Sequence, residues 1–210
     1  MAAREHRVFA ALYDLIGRRA ERGPMGARRR ELLREASGRV LEIGAGTGAN
    51  LPHYPALSAL TLAEPDGAMR RRLAPRAAAA AFPVEVLVAP AERLPLADAS
   101  VDAVVSTAVL CSVDDPAQAL AEARRVLRPG GCLLFIEHVR ADGRTARLQD
   151  RLAPAWRRLN AGCHPNRDTV AAIREAGFAV TALRRLDDVP VLPCLRPLVA
   201  GVAVAPADGG

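Results

Sequence analysis

The segment GRVLEIGAGTGAN, residues Gly38–Asn50, joins an apolar run to three glycines that stand two residues apart. The run RVLEI predicts a buried strand. Glycine adopts positive φ angles and carries no Cβ that would hold a ligand away from the main chain. Gly44, Gly46 and Gly48 therefore predict a sharp turn after the strand, where the backbone closely approaches a ligand.

Strands and helices alternate along the rest of the chain. The further predicted strands are ALTLAE, VEVLVA, VDAVVSTAVL, CLLFIEHV, AVTALRRL and LVAGVAVAP. Such near-continuous apolar strands are typical of an α/β fold, in which helices cover both faces of a mostly parallel sheet. Right-handed crossovers make the sheet doubly wound, and ligands of such sheets bind beyond the carboxyl ends of the strands.

Helical patterns fill the intervals between the strands. Residues 8–16 have helical spacing, and a second helix is predicted at about 28–36, between the Gly23-Pro24 pair and Gly38. Proline is expected to kink or break one longer helix at Pro75 and to interrupt another near Pro154. Two more helices are predicted in PAQALAEARRVLRPGG and RDTVAAIREAGF. We expect one domain, with helices in residues 1–37 that cap the site and a core formed by residues 38–210.

The composition argues against several classes of protein. The net charge of the 210 residues is +6, and every basic residue is an arginine. The arginines are scattered and aromatic residues are few, which argues against nucleic-acid binding. No apolar run is long enough to span a bilayer, and the charged first residues do not resemble a signal peptide, so a cytoplasmic protein is expected. The Arg-rich first helix is expected to pack on the core, with weak membrane-surface contact as the alternative.

Two acids decide which nucleoside the glycine loop suits. Glu64 lies twenty residues after Gly44, at the end of the second predicted strand, where a carboxylate accepts hydrogen bonds from ribose hydroxyls. Gly44, Gly46 and Ala49 also satisfy the alanine variant of the nicotinamide-dinucleotide fingerprint. Glu42, however, occupies a strand position that is usually apolar in dinucleotide folds. A carboxylate there suits a cationic ligand such as the amino group of a methionine moiety, or it is satisfied by loop N–H groups.

Taken together, these segments resemble a class I S-adenosylmethionine-dependent methyltransferase. VLEIGAGTG resembles the first motif of that family, LAEPDGAM the second-strand motif, AERLPLADASVDAVVST the third- and fourth-strand block, and LAEARRVLRPGG the helix and turn before strand five. The resemblance implies a seven-stranded sheet with an antiparallel last strand, and S-adenosyl-L-methionine as cofactor. The cofactor-binding residues that it implies are Glu42, Gly44, Ala45, Gly46, Thr47, Gly48, Asn50, Glu64, Pro65, Ala91, Glu92 and Thr107.

A finer resemblance extends beyond the cofactor motifs. STAVLCSVDDPAQAL, FIEHV and LAPAWRRLNAGCHPNRDT resemble the methyltransferase-like group that includes the microsomal alkyl-thiol methyltransferases. Many family members bind the adenine amino group with an acid where this chain has Pro90, so that contact is expected from the Ala91 main chain and the Glu92 side chain. The mammalian relatives also carry a hydrophobic N-terminal anchor that this sequence lacks, so membrane residence does not carry over.

The candidate acceptor-side residues follow strands four and five and the late helix. His138 is the candidate catalytic base, since an imidazole titrates near neutral pH, and a histidine bonded to loop backbone is the alternative. Trp156 is expected either in the core or as an apolar lid. Asn166 and Arg167 are expected to position an acidic substrate or to cap the following helix. The predicted substrate-binding residues are Leu110, Cys111, Trp156, Cys163, His164, Asn166 and Arg167.

The cysteines are expected to be free thiols. Cys111, Cys132, Cys163 and Cys194 form no Cys-x-x-Cys pair, which argues against a structural zinc site. Cys111 is expected to pack rather than to react, and Cys163 and His164 are expected to form a tight turn. No ligand spacing supports a metal at His138, Cys163 and His164, so no metal is expected.

The first hypothesis for the activity is methyl transfer to a small-molecule thiol. A thiol acceptor needs little beyond its thiolate, whose formation nearby positive charge favours. The alternative is O-, N- or C-methylation of a quinone, a lipid or a secondary metabolite. A nicotinamide-dependent oxidoreductase and a non-catalytic nucleoside-binding protein stay open as other classes, although Glu42 and the C-terminal strands disfavour the oxidoreductase.

Overall fold

The fold is that of a computed structural model, which describes residues 21–192 and 195–207 together with Arg7, Ala10, Ala11, Tyr13 and Gly17. The strands are β1 (Arg39–Ile43), β2 (Ala59–Ala63), β3 (Val84–Leu87), β4 (Val101–Thr107), β5 (Leu127–His138), β6 (Ala179–Arg185) and β7 (Leu198–Val204). The helices are α1 (Pro24–Leu33), α2 (Gly67–Ala78), α3 (Pro116–Val126), α4 (Gly143–Leu159) and α5 (Thr169–Glu175), with a 3₁₀ turn at Leu51–His53.

All seven strands belong to one sheet, in the order β3-β2-β1-β4-β5-β7-β6. Strands β1 to β5 pair in parallel, and β7 is antiparallel to both of its neighbours. This confirms the predicted α/β, doubly wound, seven-stranded sheet. Because β1 and β4 are neighbours at the point where the strand order reverses, the loops after them lie together at the carboxyl edge, where ligands of such sheets bind.

Helices cover both faces of this sheet, because successive strand residues point to opposite sides. One core contains Leu41 and Phe135 and packs against α3 and α5. The other contains Val40 and Leu134 and packs against α1 and α2. Burial on both faces explains why the strands are apolar throughout, and it leaves the sheet edge as the place for polar side chains.

The expected bounds of α1 and the expected interruption near Pro154 are wrong, and the helix does not break at Pro75. Helix α1 begins at Pro24 rather than near Arg28 and ends at Leu33, because a proline suits the first helical position, where the N–H would have no partner. Helices α2 and α4 continue through Pro75 and Pro154. The buried face of α2 includes Leu73 and Ala77 on either side of the proline, so packing against the sheet outweighs the lost hydrogen bond.

Two further sequence expectations concern the N-terminal region and membrane spans. The helix predicted at 8–16 lies largely outside the described residues, although Ala10, Ala11 and Tyr13 are helical. Among the described residues, no helix is both long enough and apolar enough to cross a membrane.

The caps of α3 and α4 provide a matched test of helix stabilisation. The Asp115 carboxylate accepts a hydrogen bond from the Gln118 N–H, whereas Asp142, at the N-cap of α4, makes no side-chain cap bond. We expect Asp115→Ala to lower the free energy of unfolding by about 1 kcal/mol. Asp142→Ala is the control, because it removes the same charge from a helix start without removing a cap bond. Urea unfolding measures both variants, and equal losses would contradict the assignment.

Candidate active site

The glycine loop after β1 has the conformation that the sequence predicts. Gly44, Gly46 and Gly48 have φ angles of 57°, 58° and 85°. A Cβ on Gly44 would overlap the side chain of Val109, at 2.6–2.7 Å from its Cγ atoms, so this loop packs directly on the loop after β4. A Cβ on Gly46 would instead point into open space, with its nearest neighbour at 3.9 Å. The main chain at Gly46 is thus open to a ligand.

Glu64 follows β2 and lies against this loop. Its carboxylate accepts hydrogen bonds from the Gly46 N–H at 2.7 Å and from the Asp66 N–H at 2.8 Å. Burial raises the pKa of Glu64, and these two N–H groups partly oppose the rise. Two bonds leave further lone pairs on the carboxylate, because each oxygen has about two acceptor positions. Glu64 can therefore hold the loop and still accept hydroxyl donors from a ligand.

Glu42 is the end of a buried polar chain. Its carboxylate accepts hydrogen bonds from the Tyr54 hydroxyl at 2.7 Å and from the Asn50 amide at 3.0 Å. The same Asn50 amide group donates to the Thr107 hydroxyl at 3.1 Å, which connects the glycine loop to the end of β4. Burial raises the pKa of Glu42 from its usual 4.5 to about 7, and the bonds from Tyr54 and Asn50 oppose that rise.

Helix α1 supplies a buried cation that sequence reasoning missed. The Arg29 guanidinium donates to the Asn50 side-chain oxygen at 2.6 Å and to Glu21 at 2.9 Å. Glu21 also contacts the His53 ring at 3.2 Å. The sequence around Arg29 is an ordinary run of arginines, so only the packing of α1 distinguishes this residue. These contacts tie the N-terminal region to the loop that follows the glycines.

A third buried carboxylate, Glu137 on β5, fixes the loop after β4. It accepts hydrogen bonds from the Ser106 hydroxyl at 2.7 Å and from the N–H groups of Val109 and Leu110 at 3.0 Å, with the Cys111 N–H at 3.4 Å. Burial raises the pKa of Glu137, against the effect of these donors. Sequence reasoning missed this role, although an acid inside the apolar run FIEHV was a signal for a buried carboxylate with a specific partner.

Cys111, His138 and Cys163 meet at the same edge of the sheet. The two Sγ atoms are 3.6 Å apart, and His138 Nδ1 lies 3.9 Å from the Cys111 sulfur and 4.0 Å from the Cys163 sulfur. The hydrogen bond between the two sulfurs, together with the nearby His138, holds the pKa of Cys163 below its usual range. The same bond and burial raise the pKa of Cys111. We call these three residues the sulfur–imidazole cluster.

The segment after α4 forms one wall of this cluster. The His164 N–H donates to the Cys111 carbonyl at 2.7 Å, and burial lowers the pKa of the His164 ring. The structure has no turn centred on Cys163 and His164 as expected: one turn ends at Cys163, whose N–H donates to the Asn160 carbonyl at 2.9 Å, and the next begins at His164, whose carbonyl accepts from the Arg167 N–H at 3.3 Å. Trp156, on α4, is half-buried. The role of Trp156 and His164 toward a substrate stays a prediction.

Asn166 and Arg167 have structural partners. Asn166 donates to Asp150 at 2.9 Å, and Arg167 donates to the carbonyls of Leu110 and Val113 at 2.9 and 2.7 Å. The expectation that they cap α5 is wrong, because Asp168 is its N-cap and accepts from the Ala171 N–H. Asp168 has the geometric advantage, since its short side chain reaches the first turn directly. Their role toward a substrate stays a prediction.

The remaining predicted cofactor residues surround the glycine loop and the loop after β3. Glu92 accepts hydrogen bonds from the Asp114 and Asp115 N–H groups at 2.9 and 3.3 Å, and Ala91 is buried beside it. The Ala45 N–H donates to the Ala63 carbonyl at 3.1 Å. The carbonyls of Thr47 and Pro65 accept from arginines of α2. These loops therefore stand in fixed positions around the open main chain at Gly46.

Known proteins share both the sequence and the fold. A family model described as a methyltransferase domain matches residues 41–135. Thiol S-methyltransferase TMT1A of Homo sapiens is 36% identical over 86% of this chain and 79% of its own length. Thiol S-methyltransferase TMT1B of Rattus norvegicus is 40% identical over 69% of this chain and 61% of its own. A SAM-dependent methyltransferase of Thermotoga maritima has a TM-score of 0.68 at 23% identity, over 92% of this chain and 93% of its own.

The fold and the site thus define an α/β enzyme of the methyltransferase class. The chain belongs to the class I S-adenosylmethionine-dependent methyltransferases, within the group that includes TMT1A and TMT1B. S-adenosyl-L-methionine is accordingly its cofactor, and the open main chain at Gly46 beside Glu64 fits such a nucleoside. The sequence-based expectations of enzyme class and cofactor are confirmed.

The raised pKa of Glu42 predicts a pH-dependent stability. A folded-state pKa of about 7 against an unfolded value near 4.5 means that the folded protein binds this proton more tightly. The stabilisation is complete below pH 4.5 and is lost as the pH rises to about 7, by at most about 3 kcal/mol. We expect Glu42→Gln to remove this slope.

Urea unfolding at pH 5, 6, 7 and 8 measures the difference between wild type and Glu42→Gln. Glu85→Gln is the control, because Glu85 is an exposed acid on β3. A difference between wild type and Glu42→Gln that stays constant over this range would show that Glu42 is ionised throughout.

Proposed function

We propose that this methyltransferase acts on the sulfur of a small-molecule thiol. The observation that carries the proposal is its similarity to a thiol S-methyltransferase over 86% of the chain, at 36% identity. The matched region is long enough to include more than the cofactor motifs, which end near His138. A thiol acceptor also needs little help from a catalytic base, because its thiolate is the nucleophile and forms near neutral pH when positive charge is close.

The cofactor end of the proposed site is formed by Gly46 and two acids. The bound cofactor supplies an electrophilic methyl group on a sulfonium centre. In the proposal, Glu64 accepts the ribose hydroxyls while it holds the Gly46 N–H at 2.7 Å. Glu42 lies with Asn50 in the buried chain that Arg29 enters, and we assign this chain to the amino-acid end, where charges of both signs must be bound.

The acceptor end of the proposed site is the sulfur–imidazole cluster and its wall. His138 is half-buried and is the proposed acceptor of the thiol proton in the metal-free protein. Trp156 and His164 are the proposed walls of this region, and Leu110 is a buried apolar residue of the loop after β4. Excluding water strengthens the attraction between an anionic nucleophile and a cationic donor, so an apolar wall assists transfer.

The N-terminal region completes the proposed site. Arg29 and Glu21 contact the loop after the glycines, which supports the prediction that residues 1–37 cap the cofactor. We propose that the acceptor is a small molecule rather than nucleic acid, because the arginines are scattered and form no basic patch in the sequence. We also propose a cytoplasmic location.

A methyl-transfer screen tests the acceptor class. Purified protein is incubated with S-adenosylmethionine labelled in its methyl group and with matched thiols, phenols, quinones and amines. We expect label in the thiols, and we expect His138→Ala to lower kcat for them by about 100-fold, the usual contribution of a positioned acid or base. Turnover of a phenol or an amine with no turnover of any thiol would replace the proposal by O- or N-methylation.

The Glu64 assignment is tested by cofactor binding. Loss of two hydrogen bonds to a charged acceptor is worth about 3 kcal/mol, so Glu64→Ala should weaken S-adenosylmethionine binding by about 100-fold. Isothermal titration calorimetry measures the affinity. Glu85→Ala, an exposed acid on the neighbouring strand β3, is the control and should bind normally. An unchanged affinity in folded Glu64→Ala would remove Glu64 from the cofactor site.

A further inference from the structure

We propose that the sulfur–imidazole cluster binds a zinc ion through Cys111, His138 and Cys163. The site leaves one coordination position for the acceptor thiol. The ion site follows from the geometry of the three side chains alone. Only the occupant of the fourth position rests on the proposed function.

The three ligand atoms lie within a few tenths of an ångström of the spacing that zinc requires. Their separations are 3.6, 3.9 and 4.0 Å. A tetrahedral zinc ion, with Zn–S bonds of about 2.3 Å and Zn–N bonds of about 2.0–2.1 Å, holds such atoms roughly 3.5–3.8 Å apart. An ion at the centre of this triangle would lie about 2.2 Å from each atom, within the range of those bond lengths. Binding thus requires shifts of a few tenths of an ångström.

The types of ligand also indicate the metal. Two sulfurs and one imidazole suit zinc, whereas magnesium and calcium prefer oxygen ligands. Structural zinc sites have four protein ligands, but among the described residues this cluster has three. Three protein ligands and one open position are the composition of a catalytic zinc site. His138 is half-buried while both sulfurs are buried, so solvent and substrate approach from the imidazole side.

The main chain of every ligand is fixed by bonds that do not involve the metal. The Cys111 carbonyl accepts from the His164 N–H at 2.7 Å, and its own N–H points to Glu137. The Cys163 N–H donates to the Asn160 carbonyl at 2.9 Å. The Thr169 hydroxyl donates to the His138 carbonyl at 3.1 Å. Supporting contacts of this kind orient metal ligands and strengthen metal binding.

The ion would change how the thiol is activated. A thiol that coordinates zinc loses its proton, so the S–H bond breaks, a Zn–S bond forms and the proton passes to water. In the zinc-loaded protein His138 is a ligand, and the ion rather than the imidazole promotes ionisation. The acceptor sulfur would then be held at a defined place next to the cofactor, which is a gain from positioning.

Metal titration of the full chain tests the site without any turnover. Protein is stripped with a chelator, reduced with a phosphine and titrated with Zn²⁺ in competition with a chromophoric chelator. We expect one zinc per chain and a loss of affinity of about 100-fold or more in Cys111→Ser, Cys163→Ser and His138→Ala, since supporting contacts alone cost 10- to 100-fold. Cys132→Ser, a half-buried cysteine elsewhere on β5, is the control and should bind zinc normally.

Cobalt substitution makes the test independent of how the variants fold. Co²⁺ in wild type should give the strong d–d and sulfur-to-cobalt absorption of a tetrahedral site with thiolate ligands. No zinc uptake by the reduced protein, or no such cobalt spectrum, would overturn the proposal. Addition of a monothiol such as benzenethiol should change the cobalt spectrum, and an unchanged spectrum would overturn the fourth-position assignment.

The two proposals fail in different ways. Zinc binding without methylation of any thiol would refute the acceptor class and leave the metal site standing. Thiol methylation at full rate by zinc-free protein would refute the catalytic role of the ion and leave the acceptor class standing.

Discussion

Three carboxylates buried at one edge of a parallel sheet hold the functional loops of this protein. Glu42 accepts hydrogen bonds from the Asn50 and Tyr54 side chains, and Glu64 accepts one from the Gly46 N–H. Glu137 accepts hydrogen bonds from the main chain of the loop that begins at Val109. Burial raises the pKa of all three carboxyl groups above the usual range, so ionising any of them lowers the stability of the fold. Loops have few apolar contacts of their own, so acceptors that collect several N–H groups fix them instead.

The same carboxylates connect the two halves of the site. Asn50 bonds to both Glu42 and Thr107, so the glycine loop and the end of β4 form one polar unit. Val109 packs where a Cβ of Gly44 would be, and Glu137 holds the N–H groups that follow. A change at the cofactor loop therefore reaches the Cys111 side of the site through two contacts. This coupling is compatible with a transfer reaction in which donor and acceptor must be aligned.

The fold was predictable because its signals are local. The glycine loop, Glu42 and Glu64 lie within one strand–loop–strand segment, and the apolar strands require cover on both faces. Arg29 and the sulfur–imidazole cluster were not predictable as groups. Cys111 follows β4, His138 ends β5 and Cys163 follows α4, and no short spacing relates them. At Pro75 the local propensity to break the helix was outweighed by burial of α2 against the sheet.

The wall formed by the segment after α4 is attached partly through its backbone. The His164 N–H bonds to the Cys111 carbonyl, and the Arg140 N–H bonds to the Arg167 carbonyl at 2.8 Å. Main-chain bonds place few demands on side-chain identity. Substitutions at exposed positions of this wall can therefore reshape the acceptor pocket while the cofactor loops stay fixed, which gives natural variation or directed evolution a way to alter substrate range without rebuilding the enzyme.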